Sequence, residues 1–121
     1  MENIVTVAGK INKMNQPIEK ACSIKKYLKT TKKFEFVDEY KKLLIEHNDD
    51  YEGMMDFIGF VFFHILLVKY YTNINIEFTY ECFDSLMENG IIDMIINYIS
   101  NDYSLLLKFC NLKLNAKGDK Q

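Results

Sequence analysis

Residues 54–71 read MMDFIGFVFFHILLVKYY, and the fold turns on what that run is. From Phe57 to Val68 it is apolar almost all round, interrupted by Gly59 and His64. A helix is expected from about Tyr51 to Tyr71. A helix apolar on every side must be enclosed by other helices or by a partner. A membrane span is the rival reading, but it needs ~20 apolar residues. This run is shorter, and Asp56 and His64 punctuate it, so no membrane contact is expected. Gly53 and Gly59 lower helix propensity, which implies that a neighbouring helix comes close.

On the N-terminal side, HNDD (residues 47–50) reads as a turn, with Asp49 or Asp50 as the N-cap of the central helix. Before it, a helix is expected over Phe34–Glu46. Phe34, Val37, Tyr40 and Leu44 form its apolar edge, with Leu43 beside it, and Glu35, Asp38 and Glu39 suit its positive end. TTKK (residues 30–33) reads as a break. Ile18, Ala21, Cys22, Ile24 and Leu28 recur at helical spacing, so a first helix is expected from Pro17 to about Thr30. Residues 1–16 are weakly patterned. Ile4, Val5 and Val7 fit a short strand that Gly9 turns, or a frayed end.

On the C-terminal side, TNINIEF (residues 72–78) is a connection and Thr79 an N-cap. A helix follows over Tyr80–Glu88, ended by Asn89-Gly90 with Gly90 suited to a left-handed C′ position. Two more are expected, Ile91 to about Asn101 and about Tyr103 to Leu114. Their polar stripes are Asp93, Asn97, Ser100 and Asn101, then Ser104, Lys108, Asn111 and Asn115. Residues 116–121 read as a disordered tail. The expectation is an all-α, single-domain bundle of about five to six short helices, with the first 16 residues extended or flexible.

The 121 residues suit one domain, and 49% apolar with 26% charged is a globular balance. Charge is segregated. Residues 1–33 hold eight lysines and two glutamates; residues 34–68 hold two lysines and eight acids. Residues 69–102 hold one lysine and six acids, and residues 103–121 four lysines and one aspartate. Such segregation reads as solvated faces that attract one another, or as a basic N-terminal segment that docks on an acidic partner. Nucleic-acid binding usually brings arginine for bidentate contacts, and this chain has none. The three cysteines, Cys22, Cys82 and Cys110, are odd in number and widely spaced, which fits buried thiols in a reducing compartment. The N-terminus lacks the order of a signal peptide, so the cytoplasm is the expected location.

The residues for catalysis or metal binding do not assemble in the sequence, so no enzyme activity, cofactor or metal is expected. His47 lies near Asp49, Asp50 and Glu52, which could ligate a divalent ion, but capping accounts for the same residues. His64 reads as a core histidine with one hydrogen bond. Apolar surface remains. The central helix and the last two carry more large apolar side chains than a small bundle must bury, and Met54, Met55, Met87 and Met94 add adaptable contacts. The expectation is a core plus an exposed groove for a partner helix. Phe57, Phe60, Phe63, Leu67, Leu106 and Phe109 are its candidate partner-binding residues.

YEGMMDFIGFVF (residues 51–62) followed by FTYECFDSLMENGIIDMIINYI (residues 78–99) resembles the tail assembly chaperones of long-tailed bacteriophages that infect Gram-positive hosts. Asp56-Phe57-Ile58 corresponds to the family's Asp-Phe-Val-Val-like run, Phe78-Thr79 to its helix cap, and Phe83-Asp84-Ser85-Leu86 to its Phe-x-Asp-Gly-Leu-like turn, with Ser85 for Gly. The resemblance covers about residues 17–100. The family's N-terminal part often reads as a β-hairpin, which here is short and weak. The connector is longer than usual, and residues 103–115 have no counterpart. The resemblance implies a non-enzymatic protein of the host cytoplasm, absent from the mature virion. It implies coating of the tape measure protein, which keeps it soluble, and help in recruiting tail tube protein; a homo-oligomer is compatible with that role. A longer form made by ribosomal frameshifting is a feature of many such phages. The competing reading is a small phage-encoded regulatory or inhibitory protein that binds one host protein. A DNA-binding regulator would need a basic recognition helix, for which only the segment with Lys20, Lys25, Lys26 and Lys29 is available.

Overall fold

A computed structural model describes residues 2–6 and 21–111. Among them are two strands and five helices: β1 (Glu2–Thr6), β2 (Ala21–Lys25), α1 (Thr30–His47), α2 (Met55–Tyr71), α3 (Tyr80–Glu88), α4 (Ile91–Tyr98) and α5 (Ser100–Phe109). The protein is mostly helical, a small bundle as expected. The central run forms α2, which packs against α1, α3, α4 and β2. Every residue from Val61 to Val68 is buried, so the all-round apolar pattern is met by all-round enclosure. No helix among the described residues is long and apolar enough to cross a membrane.

The close approach expected at Gly59 is met by Tyr40. A Cβ built on Gly59 would sit 2.6 Å from the Tyr40 hydroxyl. Tyr40 is buried and edge-on to Phe63, with ring centroids 6.1 Å apart, so it cannot swing away freely. Gly59→Ala is expected to lower stability by ~1–3 kcal/mol through overpacking. Thermal unfolding measures it, and adding Tyr40→Phe, which removes the obstructing oxygen, should recover part of the loss. Gly53 has a different role: its φ of 77° lies in the turn before α2.

Local signals around α3 behave as the sequence implies. Thr79 Oγ1 accepts the Cys82 amide at 3.0 Å, which makes it the N-cap. Gly90 takes φ 72° between α3 and α4. Thr79→Ala should cost about 1 kcal/mol in urea unfolding, and Thr79→Ser should restore most of it.

Four local expectations are corrected. The helix expected over residues 17–30 does not form across Ala21–Lys25. That segment is β2, paired antiparallel with β1 from Glu2↔Lys25 to Thr6↔Ala21, and bridged on its other side from Ile24 to Thr72. Ile24 and Leu28, spaced as on a helix, are both buried from an extended chain; β1 and Thr72 supply backbone partners to Ile24 on its two sides, and Asp102 accepts the Leu28 amide. Residues 17–20 lie outside the described residues, as do Val7, Gly9 and residues 112–121, which hold the expected end of the last helix and the tail.

Helix α1 starts at Thr30, inside the expected break, and its inward stripe is Lys33, Phe36, Tyr40 and Leu43. Phe34, expected on the core side, is 66% exposed. The charged Lys33 disguised the true stripe. The early start also puts Lys32 and Lys33, rather than acids, at the positive end of α1. Helix α2 starts at Met55, not at Tyr51, so neither Asp49 nor Asp50 caps it. Near the C-terminus the helix break falls at Ile99 rather than after Asn101, because the Ile99 side chain is drawn into the core. Helix α5 ends at Phe109, and Asn111 turns the chain at φ 61°.

A buried polar junction ties β2's continuation to the bundle. Asp102 Oδ2 accepts the Leu28 amide at 2.8 Å and the Tyr71 hydroxyl at 2.9 Å, and lies 3.3 Å from Lys33 Nζ. Lys33 Nζ also donates to the Leu28 carbonyl at 2.7 Å and sits 3.9 Å from the centre of the Tyr27 ring. The Lys33 and Asp102 side chains are each 5% exposed. One carboxylate therefore joins the segment after β2, α1, α2 and α5.

Candidate partner-binding surface

Helices α2 and α3 and the turn before α2 enclose an open, mostly apolar hollow of about 330 Å³. Met54, Phe57, Ile58 and Val61 form one wall at helical spacing. Tyr80 and Phe83 form the other, with Tyr51 at the mouth and Asp84 as the lining acid. The spacing of α2 places those four side chains on one face because residues three, four and seven apart coincide there. Phe57 and Phe60 are stacked with centroids 6.3 Å apart, and Phe60 meets the Phe83 edge at 6.0 Å.

The mouth is held by hydrogen bonds. Asp50 Oδ2 accepts from the Tyr80 hydroxyl at 2.7 Å and from His47 Nδ1 at 2.7 Å. The Tyr80 bond, then the His47 bond, hold the Asp50 carboxyl below the usual carboxylate range. Burial, then the bond to Asp50, raise the Tyr80 hydroxyl well above its ordinary value, so it stays a donor. The His47 ring stacks on Phe62 at 4.4 Å, and Tyr51 meets Tyr80 edge-on at 5.7 Å. Of the acids near His47, Asp50 thus braces a groove rim. Among the described residues no group of three His, Cys, Asp or Glu side chains could hold a metal ion.

The six residues expected at the partner surface divide. Phe57 is 55% exposed and lines the hollow, and half-buried Phe60 supports it from behind. Phe109 is 51% exposed but borders a different hollow, of about 320 Å³, with Phe34, Val37, Asp38 and Lys41. Phe63, Leu67 and Leu106 are fully buried in the core, which corrects their assignment to the surface. They sit on the enclosed faces of α2 and α5, where the continuous apolar run gives no sign of which side is outward. Met54, read from the sequence as an adaptable contact, lines the groove, whereas Tyr51, Tyr80 and Phe83 were missed as groove residues. Their signal was faint: tyrosine next to a glycine turn, facing the outward edge of a capped helix.

Among the described residues, His64, Cys82 and Cys110 are enclosed. His64 Nδ1 lies 2.7 Å from the Phe60 carbonyl, which can only accept, so Nδ1 carries the proton. Nε2 then accepts from the Tyr103 hydroxyl at 2.8 Å. His64 therefore makes two hydrogen bonds, one more than expected. Burial brings its pKa down to about 4, so the ring is neutral at pH 7. Cys82 and Cys110 are buried, and burial pushes the Cys110 thiol up to about 12, which leaves it protonated and unreactive. Comparison of the chain with protein-family models, curated proteins and solved structures returned no match.

Proposed function

We propose that this chain is a non-enzymatic tail assembly chaperone. It holds the tape measure protein soluble in the host cytoplasm, helps recruit tail tube subunits, and leaves before the virion is complete. The observation that carries the protein-holding part is the groove of Met54, Phe57, Ile58, Val61, Tyr80 and Phe83, open to solvent and lined by a methionine and aromatic rings. Such a groove takes the apolar face of an amphipathic helix through anchors at i, i+3, i+4 and i+7. The choice of tape measure protein rests on the resemblance of residues 51–62 and 78–99 to that family. The β1–β2 pair adds support, since an N-terminal β-hairpin is common in it.

Co-expression with the longest helical protein encoded beside this gene tests the proposal. The expected result is a several-fold rise in that partner's soluble fraction and a purified complex with several copies of this chain per partner. Phe57→Asp should abolish the rescue, whereas Ile45→Asp, at an exposed position outside the groove, should not. A partner that stays insoluble beside abundant soluble chain would overturn the proposal.

A further inference from the structure

The groove's surroundings carry one sign of charge. Asp84 lines it, Glu81 and Glu88 are exposed on the same helix, and Glu52 is exposed beside Tyr51. No lysine or arginine occurs between Lys42 and Lys69, nor between Lys69 and Lys108, so α3, α4 and the turn before α2 contain none. Four exposed lysines, Lys25, Lys26, Lys29 and Lys32, gather near the start of α1; of the other exposed lysines among the described residues, Lys42 and Lys69 are paired with Asp38 and Glu39, Lys41 borders the Phe109 hollow and Lys108 lies on α5. Helix α1 has 18 residues and spans about 27 Å, with those lysines at its start and the His47–Asp50 rim of the groove at its end. That separation exceeds a Debye length of about 8 Å at physiological salt, so those four lysines do not neutralise the groove's field, and Lys42 is offset by its own partner Asp38.

We infer that the groove selects helices whose apolar stripe is flanked by lysine or arginine, and discriminates against acidic helices of the same hydrophobicity. This deepens the reading of the groove as a helix-holding site and rests on it. Apolar contact supplies most of the affinity of such a docking, and like-charge opposition at the rim supplies discrimination. An acidic helix would bring carboxylates against Glu81, Asp84 and Glu88, whereas a basic one pairs with them. The groove thereby ranks segments of a long helical partner by charge as well as by stripe.

The test uses the full chain and two synthetic amphipathic peptides about five turns long, with leucines at i, i+3, i+4 and i+7. One carries lysine at the flanking positions and the other glutamate. Fluorescence anisotropy should show the lysine peptide bound at least about tenfold more tightly at low salt, with the gap narrowing at high salt. Asp84→Lys should weaken the lysine peptide several-fold. Phe57→Asp should weaken it by at least about tenfold although it adds negative charge, and Ile45→Asp, which adds the same charge elsewhere, should not. Phe57, Asp84 and Ile45 are all exposed, so these variants should retain the native circular dichroism.

Equal binding of both peptides, weakened alike by Phe57→Asp, would overturn the charge selection and leave the groove as a helix site. Lysine-peptide binding that Phe57→Asp leaves unchanged or tightens would mean diffuse charge attraction, and would overturn both. Failure to bind either peptide would also overturn the inference; if sedimentation then shows self-association that Phe57→Asp abolishes, the occupant is a second copy of the chain. A lysine peptide bound as expected beside an unrescued tape measure protein would retain the inference and discard the chaperone.

Discussion

Asp102→Ala is expected to destabilise the protein by about 3–5 kcal/mol, the range for removing one partner of a buried ion pair. The substitution strands the Lys33 ammonium in a site only 5% exposed. It also leaves the Leu28 amide and the Tyr71 hydroxyl without their acceptor. A domain of this kind has about 5–15 kcal/mol in total, so the loss is a large share of it. Urea unfolding of the single variant, set against Asp102→Ala combined with Lys33→Met, separates the causes. The double variant removes the uncompensated charge and should be the more stable of the two. It should stay below wild type, because the amide and the hydroxyl remain unpaired. A single variant within about 1 kcal/mol of wild type would mean that the junction contributes no more than a surface pair.

Acid should weaken the protein through His64 before its carboxylates titrate. The ring's pKa is about 4 in the folded chain, against an ordinary value near 6.5, because burial disfavours the imidazolium. Between those values the unfolded chain binds the proton and the folded chain does not, so stability rises with pH across that window. The stability held by the neutral ring is fully present above pH ~6.5, is lost as pH falls toward 4, and is gone below it. The displacement corresponds to on the order of 3 kcal/mol, of which about 2 kcal/mol should be lost by pH 5. His64→Gln has no such titration. It should be less stable than wild type at pH 7, where it loses the fitted bonds to Phe60 and Tyr103, yet nearly flat between pH 7 and pH 5. Unfolding free energies at several pH values give the slopes; a wild type as flat as His64→Gln would remove His64 as the acid-sensitive group.

How much of this was legible in the sequence depended on the range of the forces involved. Thr79 as a cap, Gly90 as a left-handed terminus and the enclosure of residues 61–68 within a helix are decided within one or two turns of chain. Neighbouring residues therefore carried the whole signal. The tight contact at Gly59 was also legible, as an absence of side chain that needed a reason, though its partner Tyr40 was not.

The rest required tertiary structure. Ile24 and Leu28 have helical spacing, yet β2 pairs with β1 and touches Thr72, because hydrogen bonds from distant segments outweigh a weak local preference. Lys33 looked like part of a polar break and Asp102 like an unremarkable acid; they share one buried junction because folding brings positions 28 and 102 within a hydrogen bond of each other. The partner surface followed the same rule. An apolar run that is hydrophobic on every face cannot say which face stays open, and only the packing of the other elements around α2 left Phe57 outside while burying Leu67 and covering Phe63 with Phe36, Tyr40 and Tyr103. The sequence alone determined the helical class, the central helix and the ends of α3, through interactions a few residues long. Tertiary structure decided which apolar and charged side chains are hidden, because burial depends on neighbours that the chain order does not contain.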